Sequence, residues 1–329
     1  MEDEVAAFLL DVGNGHLAAV KRALAAKPHL VNAIGPHPFW GGRLQALHVA
    51  VERGRGKLVK LLLRAGADAS GVNAEYAGWS PLMLAKREKH RRLLREHGAK
   101  IGLGEALLLG DDKRLKRILR KPLPAELGDG SWLGLARTPK AIDWLVARGA
   151  STTDKDRWGA TPMEAISRSG KRAKLLLRHL EKRGIAVDDA AFARIGDKRA
   201  LKGRPESWTR PDVVKSAVDF RHHALVAWLL DHGADPNARA TNRPTHDTCL
   251  HAAVWNGDAR MVELLLERGA DPTLRDEEHH GTPYEWAEVA ERITNNPTCR
   301  EAGERIQTMR HASAKASRGK RGKSAAGSP

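Results

Sequence analysis

The chain has 329 residues, 41% of them hydrophobic and 29% charged, which is enough apolar material to bury a sizeable core and excludes a fibrous or wholly disordered chain. Aromatics make up only 5% and nine Trp carry most of them, so the Ala- and Leu-rich remainder favours packed helices over a sandwich of strands. The net charge of +16 bears on encounter with polyanions and not on fold.

Along the chain, Val5 to Asn32 reads as a polar-sided N-terminal cap. The next segment carries the clearest pattern: Leu47-His48-Val49-Ala50, then Gly54, Leu61-Leu62-Leu63 and Gly66-Ala67-Asp68. It recurs at Leu250-His251-Ala252-Ala253, Gly257, Leu264-Leu265-Leu266 and Gly269-Ala270-Asp271, with the same spacing of six from His to Gly and twelve from Gly to Gly. Residues 217 to 235 fit the frame through Ala217, Leu229-Leu230 and Gly233-Ala234-Asp235, but Arg221 stands where the first Gly is expected.

Weaker copies begin at Ser80-Pro81-Leu82, Thr161-Pro162-Met163 and Thr282-Pro283-Tyr284, a degenerate unit falls around Leu107 to Leu119, and a half-copy ends at Gly149-Ala150. Residues 185 to 212 overrun the period, which predicts a bend or an insertion there.

Each copy reads as two helices. The small Ala50 or Ala253 allows a close helix crossing, and Leu58, Val59, Leu62 and Leu63 give the second helix one apolar stripe. Thr161-Pro162 is a helix start, because Thr caps free amides and Pro costs nothing at a position whose N–H has no partner. One pair cannot bury its own apolar face, so neighbours must stack, and an elongated molecule is expected.

The motif of Thr-Pro-Leu-His-x-Ala followed by Gly and then Leu-Leu-x-x-Gly-Ala-Asp resembles the ankyrin repeat. The resemblance implies an all-α ankyrin-repeat solenoid with a projecting hairpin finger per repeat, binding through the fingers and the concave helix face. About seven helix-turn-helix units are counted between residues 5 and 296. Residues 297–329 are expected to form a separate basic, disordered tail, because Lys315, Arg318, Lys320, Arg321 and Lys323 face no acid after His311.

Candidate contact residues come from two patterns. Trp40, Trp79, Trp132, Trp158 and Trp208 precede the small helix position of their units and fall in or beside the fingers, whereas Trp144 and Trp228 fall in the second-helix stripe and are expected in the core. Trp255 is expected on the concave side. Exposed Trp marks binding hot spots, although each finger Trp could equally fold down onto its own repeat. Partner contact is therefore assigned to Trp40, Trp79, Trp158 and Trp255.

The second pattern is basic: runs at 86–95, 113–121 and 168–178 and the tail mark Arg91, Arg92, Lys113, Arg114, Lys320 and Arg321 for an alternative reading as a nucleic-acid or other polyanion binder. Such runs are also what a solvated helix face looks like, and no nucleic-acid-binding motif accompanies them.

Catalytic chemistry has no foothold in the motifs. Neither H-E-x-x-H, G-x-S-x-G, C-x-x-C nor G-x-G-x-x-G occurs, and Gly322-Lys323-Ser324 lacks the first Gly of a phosphate loop, Ser317 standing there instead. An enzyme would have to hide in the irregular segments 100–140 or 185–212. Asp276, Glu277, His279 and His280 are of ligand types that suit a divalent ion, but a solvated finger tip is the expectation.

Cys249 and Cys299 form neither a metal pattern nor a disulfide framework. With no apolar run of membrane length and an acidic start, the expectation is a cytoplasmic, monomeric, non-enzymatic scaffold that binds another protein and uses no cofactor, metal or membrane.

Overall fold

The computed structural model describes residues 2–39, 42–71, 79–120, 132–155, 159–239, 245–294 and 296–309. Trp40, Trp158, Lys320 and Arg321 lie outside the described residues. The chain divides into two compact units, 1–166 and 167–329.

In the first unit helices follow in pairs: α1 (Glu2–Asn14) and α2 (Leu17–Ala26), α3 (Ala46–Glu52) and α4 (Gly56–Arg64), α5 (Pro81–Leu84) and α6 (Glu88–Glu96), α7 (Leu103–Leu109) and α8 (Asp112–Ile118). A fifth pair joins a 3-10 turn (Trp132–Leu135) to α9 (Pro139–Val146), and α10 (Pro162–Ser167) follows. First helices pack in one row, α1 on α3, α3 on α5 and α5 on α7, and second helices in another, α2 on α4 and α4 on α6.

Helices α5 and α9 begin where Ser or Thr precedes Pro. Ser80 Oγ accepts the Met83 N–H at 3.2 Å and Thr138 Oγ1 accepts the Ala141 N–H at 3.1 Å, which satisfies amides that have no partner inside the helix. Ala50 is fully buried, as the small crossing residue requires, and so is the stripe of Leu58, Val59 and Leu62 on α4. One finger contains strand pairing: Gly35–Pro36 runs antiparallel to Arg43–Leu44.

The second unit holds α11 (Ala173–Lys182), α12 (Asp189–Arg194) with α13 (Lys198–Lys202), α14 (Pro211–Asp219) with α15 (His223–Asp231), α16 (Cys249–Trp255) with α17 (Ala259–Glu267), and α18 (Pro283–Thr294). α18 is paired with a further helix, α19, over 298–309. Its first helices also form a row, α12 on α14, α14 on α16 and α16 on α18.

Two expectations change. Within the two units nine complete pairs occur among the described residues, against about seven that the period suggests; 185–212 folds as one of them and not as an insertion, and 283–309 as another. Phe192 is fully buried there, and Asp197 caps α13 in place of the consensus residues. The helical stack also runs past the boundary expected at 296: Cys299, Ala302 and Ile306 recur at three and four, and all three are buried.

Trp144 and Trp228, assigned to the core, are only half-buried. Trp228 meets Trp208 edge-on at 4.8 Å on the second-helix side, and the Trp208 indole N–H donates to Leu201 O at 2.7 Å. No helix among the described residues is long and apolar enough to cross a membrane.

Candidate interaction groove

Three first helices of the second unit, α14, α16 and α18, line a groove of about 910 Å³ together with the residues just after α14 and α16 and the segments that lead into α16 and α18. Its apolar wall is built from Phe220, Trp255, Trp286, Val289 and Ile293. Phe220, Trp255 and Val289 are each more than a third exposed and Ile293 is 65% exposed, so the wall faces solvent uncovered. Trp286, Val289 and Ile293 are spaced by three and four, which puts them on one face of α18.

The wall is held from behind. The Trp255 and Trp286 rings meet at 5.7 Å and 68°, and Trp286 meets His251 at 5.0 Å and 75°. The Trp286 indole N–H donates to Asp276 Oδ2 at 2.9 Å, and the same carboxylate accepts the backbone N–H groups of Glu278, His279 and Gly281 at 3.1, 2.7 and 2.8 Å. Burial pushes the Asp276 carboxyl up, but these donors outweigh it and hold the group below the usual carboxylate range. Asp276 is 1% exposed and serves as the internal brace of its finger, not as part of a solvated tip. Among the described residues no three His, Cys, Asp or Glu converge as a metal site.

His251 ties the turn to the helix. Its Nδ1 accepts from the Thr248 N–H at 3.2 Å and its Nε2 lies 2.9 Å from Gly281 O, so with the proton on Nε2 both bonds are made by a neutral ring. Burial lowers its pKa, which agrees with that form. His48 holds the matching place in the first unit, and burial pulls it down to about 4.

At the floor, Lys215 Nζ lies 2.8 Å from both Asp219 Oδ1 and Asp247 Oδ2, and the Thr245 hydroxyl donates to Asp247 Oδ1 at 2.9 Å. The Cys249 thiol beside this network is pushed by burial up to about 12, so it stays protonated and acts as apolar filling.

Of the residues marked from sequence, Trp255 lies in this groove. Trp79 does not: it is half-buried against the core of the first unit. Arg91 donates to Ala85 O at 2.8 Å and lies 3.7 Å from Glu88, Arg92 lies 3.7 Å from Glu96, and Arg114 lies 3.7 Å from Asp111. Lys113 is exposed. None of these four lines the groove, but Arg168, from the third basic run, does. Phe220 and Trp286 were not singled out in sequence, because each contributes to a surface that only stacking creates.

Family models described as ankyrin repeats match residues 6–104 and 214–266. Those two stretches of the chain carry ankyrin repeats. It is 29% identical over 160 residues to the mitochondrial disaggregase of Bos taurus, a match that takes in 47% of this chain and 20% of that protein. With the zygote-specific protein 3 of Chlamydomonas reinhardtii it shares 36% over 95 residues, 28% of this chain and 24% of the other.

A putative ankyrin repeat-containing protein of Treponema pallidum is 28% identical over 135 residues, 41% of this chain and 39% of that one. The matches thus span between about a fifth and two fifths of these relatives' lengths. Among solved structures, the ankyrin repeat domain of Bcl-3 aligns with 88% of this chain and 97% of its own at 18% identity and a TM-score of 0.27. That of human ASB11 aligns with 85% and 90% at 18% and 0.26.

Proposed function

We propose that this ankyrin-repeat protein is a non-enzymatic interaction module that acts as a cytoplasmic monomer and holds another protein in the groove across α14, α16 and α18. Ankyrin repeats in general mediate contacts between proteins, and fold alone does not choose the partner. The observation that carries the reading is the uncovered wall of Phe220, Trp255, Val289 and Ile293 on a rigidly braced concave surface. Contiguous exposed apolar area of that kind marks an interaction site, and aromatic side chains that are already ordered lose little entropy on binding. The polyanion reading gains less support, since Arg91, Arg92 and Arg114 have carboxylates beside them on their own helices.

The test is affinity capture from lysate with the full chain and its Trp255→Ala variant, at low and at high salt. A defined protein retained by the wild type at high salt and lost by the variant is the expected result. Nucleic acid retained only at low salt, by both forms alike, would replace this reading with the polyanion one.

A further inference from the structure

We infer that the groove takes an acidic, apolar peptide segment: a stretch of a partner that seats apolar side chains on Trp255, Trp286 and Val289 and sets a carboxylate against Arg168 and Arg221 at the rim. The inference rests on the interaction reading above and specifies the chemistry of the occupant.

The first argument is charge. The groove's own acids already hold cations: Asp219 and Asp247 share Lys215, and Glu285 holds Arg275 at 3.2 Å and the Thr282 N–H at 2.7 Å. Asp247 is 1% exposed and out of reach of an incoming side chain. Arg168 is exposed, lines the groove, and has no acidic partner among the described residues. Arg221 adjoins the groove through Phe220 and is likewise exposed. Its guanidinium donates to Asn256 O, which leaves its charge uncompensated.

The second argument is backbone conformation at the same rim. The turns between the two helices of α3/α4, α7/α8, α12/α13 and α16/α17 all pass through a left-handed residue, and all four are Gly: Gly54, Gly110, Gly196 and Gly257, with φ between 63° and 67°. At the equivalent place between α14 and α15 stands Arg221, with φ 61°. A side chain is strained there and Gly is not. Such outliers concentrate at functional surfaces, where the side chain contributes something its backbone conformation opposes. Here the strained residue carries a cation that no carboxylate among the described residues pairs with, beside the apolar wall.

An acidic segment answers both arguments. A basic segment, such as the chain's own tail, would meet Arg168 and Arg221 with like charge. A second copy of the chain would show itself as a dimer.

The experiment uses a displayed random-peptide library, selected on the full-length chain and re-tested as labelled peptides against variants, with thermal melts to verify folding. Selected peptides should combine Leu, Phe or Trp with Asp or Glu. Their affinity should fall on the order of tenfold in Trp255→Ala and in Arg168→Glu, and much less in Arg168→Lys. Arg221→Gly should bind several-fold more weakly while melting higher, a pair of shifts that a purely structural role would not produce. Peptides lost with Trp255→Ala but rich in Lys and Arg, or indifferent to Arg168→Glu, would overturn the acidic occupant and leave the groove standing. Peptides indifferent to Trp255→Ala, or no enrichment at all, would remove the groove itself, and a concentration-dependent dimer abolished by Trp255→Ala would assign it to a second copy.

Discussion

Arg221 shows how a single departure from a repeat can be read. Its sequence position, four residues after the small Ala217, is that of a glycine in the sister units, and the structure gives it the glycine's backbone. Replacing it by Gly should stabilise the chain by about 1 kcal/mol, the usual cost of a left-handed L-residue. A urea midpoint that fails to rise would mean that the bond to Asn256 O offsets the strain.

His48 offers a second residue-scale prediction, this one in pH. Its folded-state pKa is near 4 against an ordinary 6.5, mainly through burial, so the fold favours the neutral ring. The unfolded chain then takes up a proton first as pH falls. The contribution is complete above about pH 6.5 and disappears as pH drops to 4, and the difference corresponds to roughly 3 kcal/mol. Midpoints measured at pH 7 and pH 4.5 should fall further for the wild type than for His48→Gln; equal falls would show that His48 does not charge on unfolding.

At the scale of elements, the period made α3/α4, α14/α15 and α16/α17 legible, because small residues, leucines and glycines recur there at fixed spacing. It missed α12/α13, where Asp197 and Gly196 do the work of the consensus, and it could not reveal the groove. Phe220 follows α14, Trp255 ends α16 and Ile293 lies on α18, and the three become one surface only when those helices stack. Trp255 was accessible to sequence reasoning because it ends a consensus helix on the inner side; Trp286 follows a weaker start and gave no such cue.

Two predictions belong here. Ala253→Leu should overpack the α16 crossing, where Ala253 is fully buried, and cost about 1 to 3 kcal/mol by denaturant unfolding; no change would mean that the crossing is open. Asp276→Ala should remove the acceptor of four donors, including the Trp286 indole, and cost more than about 2 kcal/mol. It should also weaken the near-ultraviolet dichroism of the Trp255–Trp286 pair, while Asp276→Asn, which keeps one acceptor oxygen, recovers part of both. An intact aromatic signal in the Ala variant would show that ring packing alone positions Trp286.

For the whole molecule, stacking makes stability a sum over neighbouring pairs, so an end pair contributes its own stability and one interface. The composition change after Asn296 masked this, since buried Cys299, Ala302 and Ile306 sit in a short stretch that leads into the basic tail. α19 packs its Gly303 closely against Ala287 of α18, its Cys299 thiol donates to Trp255 O at 3.4 Å, and Arg300 pairs with Glu291 at 2.7 Å. It therefore braces the helix that carries three of the five residues of the groove wall. A chain ending at Asn296 should lose about 3 to 5 kcal/mol of burial and, with it, hydrogen-exchange protection in α18 and at Trp255, while α1 to α4 exchange as before. Equal protection of α18 in both chains would show that the stack ends at α18, where the sequence period alone had placed it. Loss confined to α18 would make α19 the cap on which the groove depends.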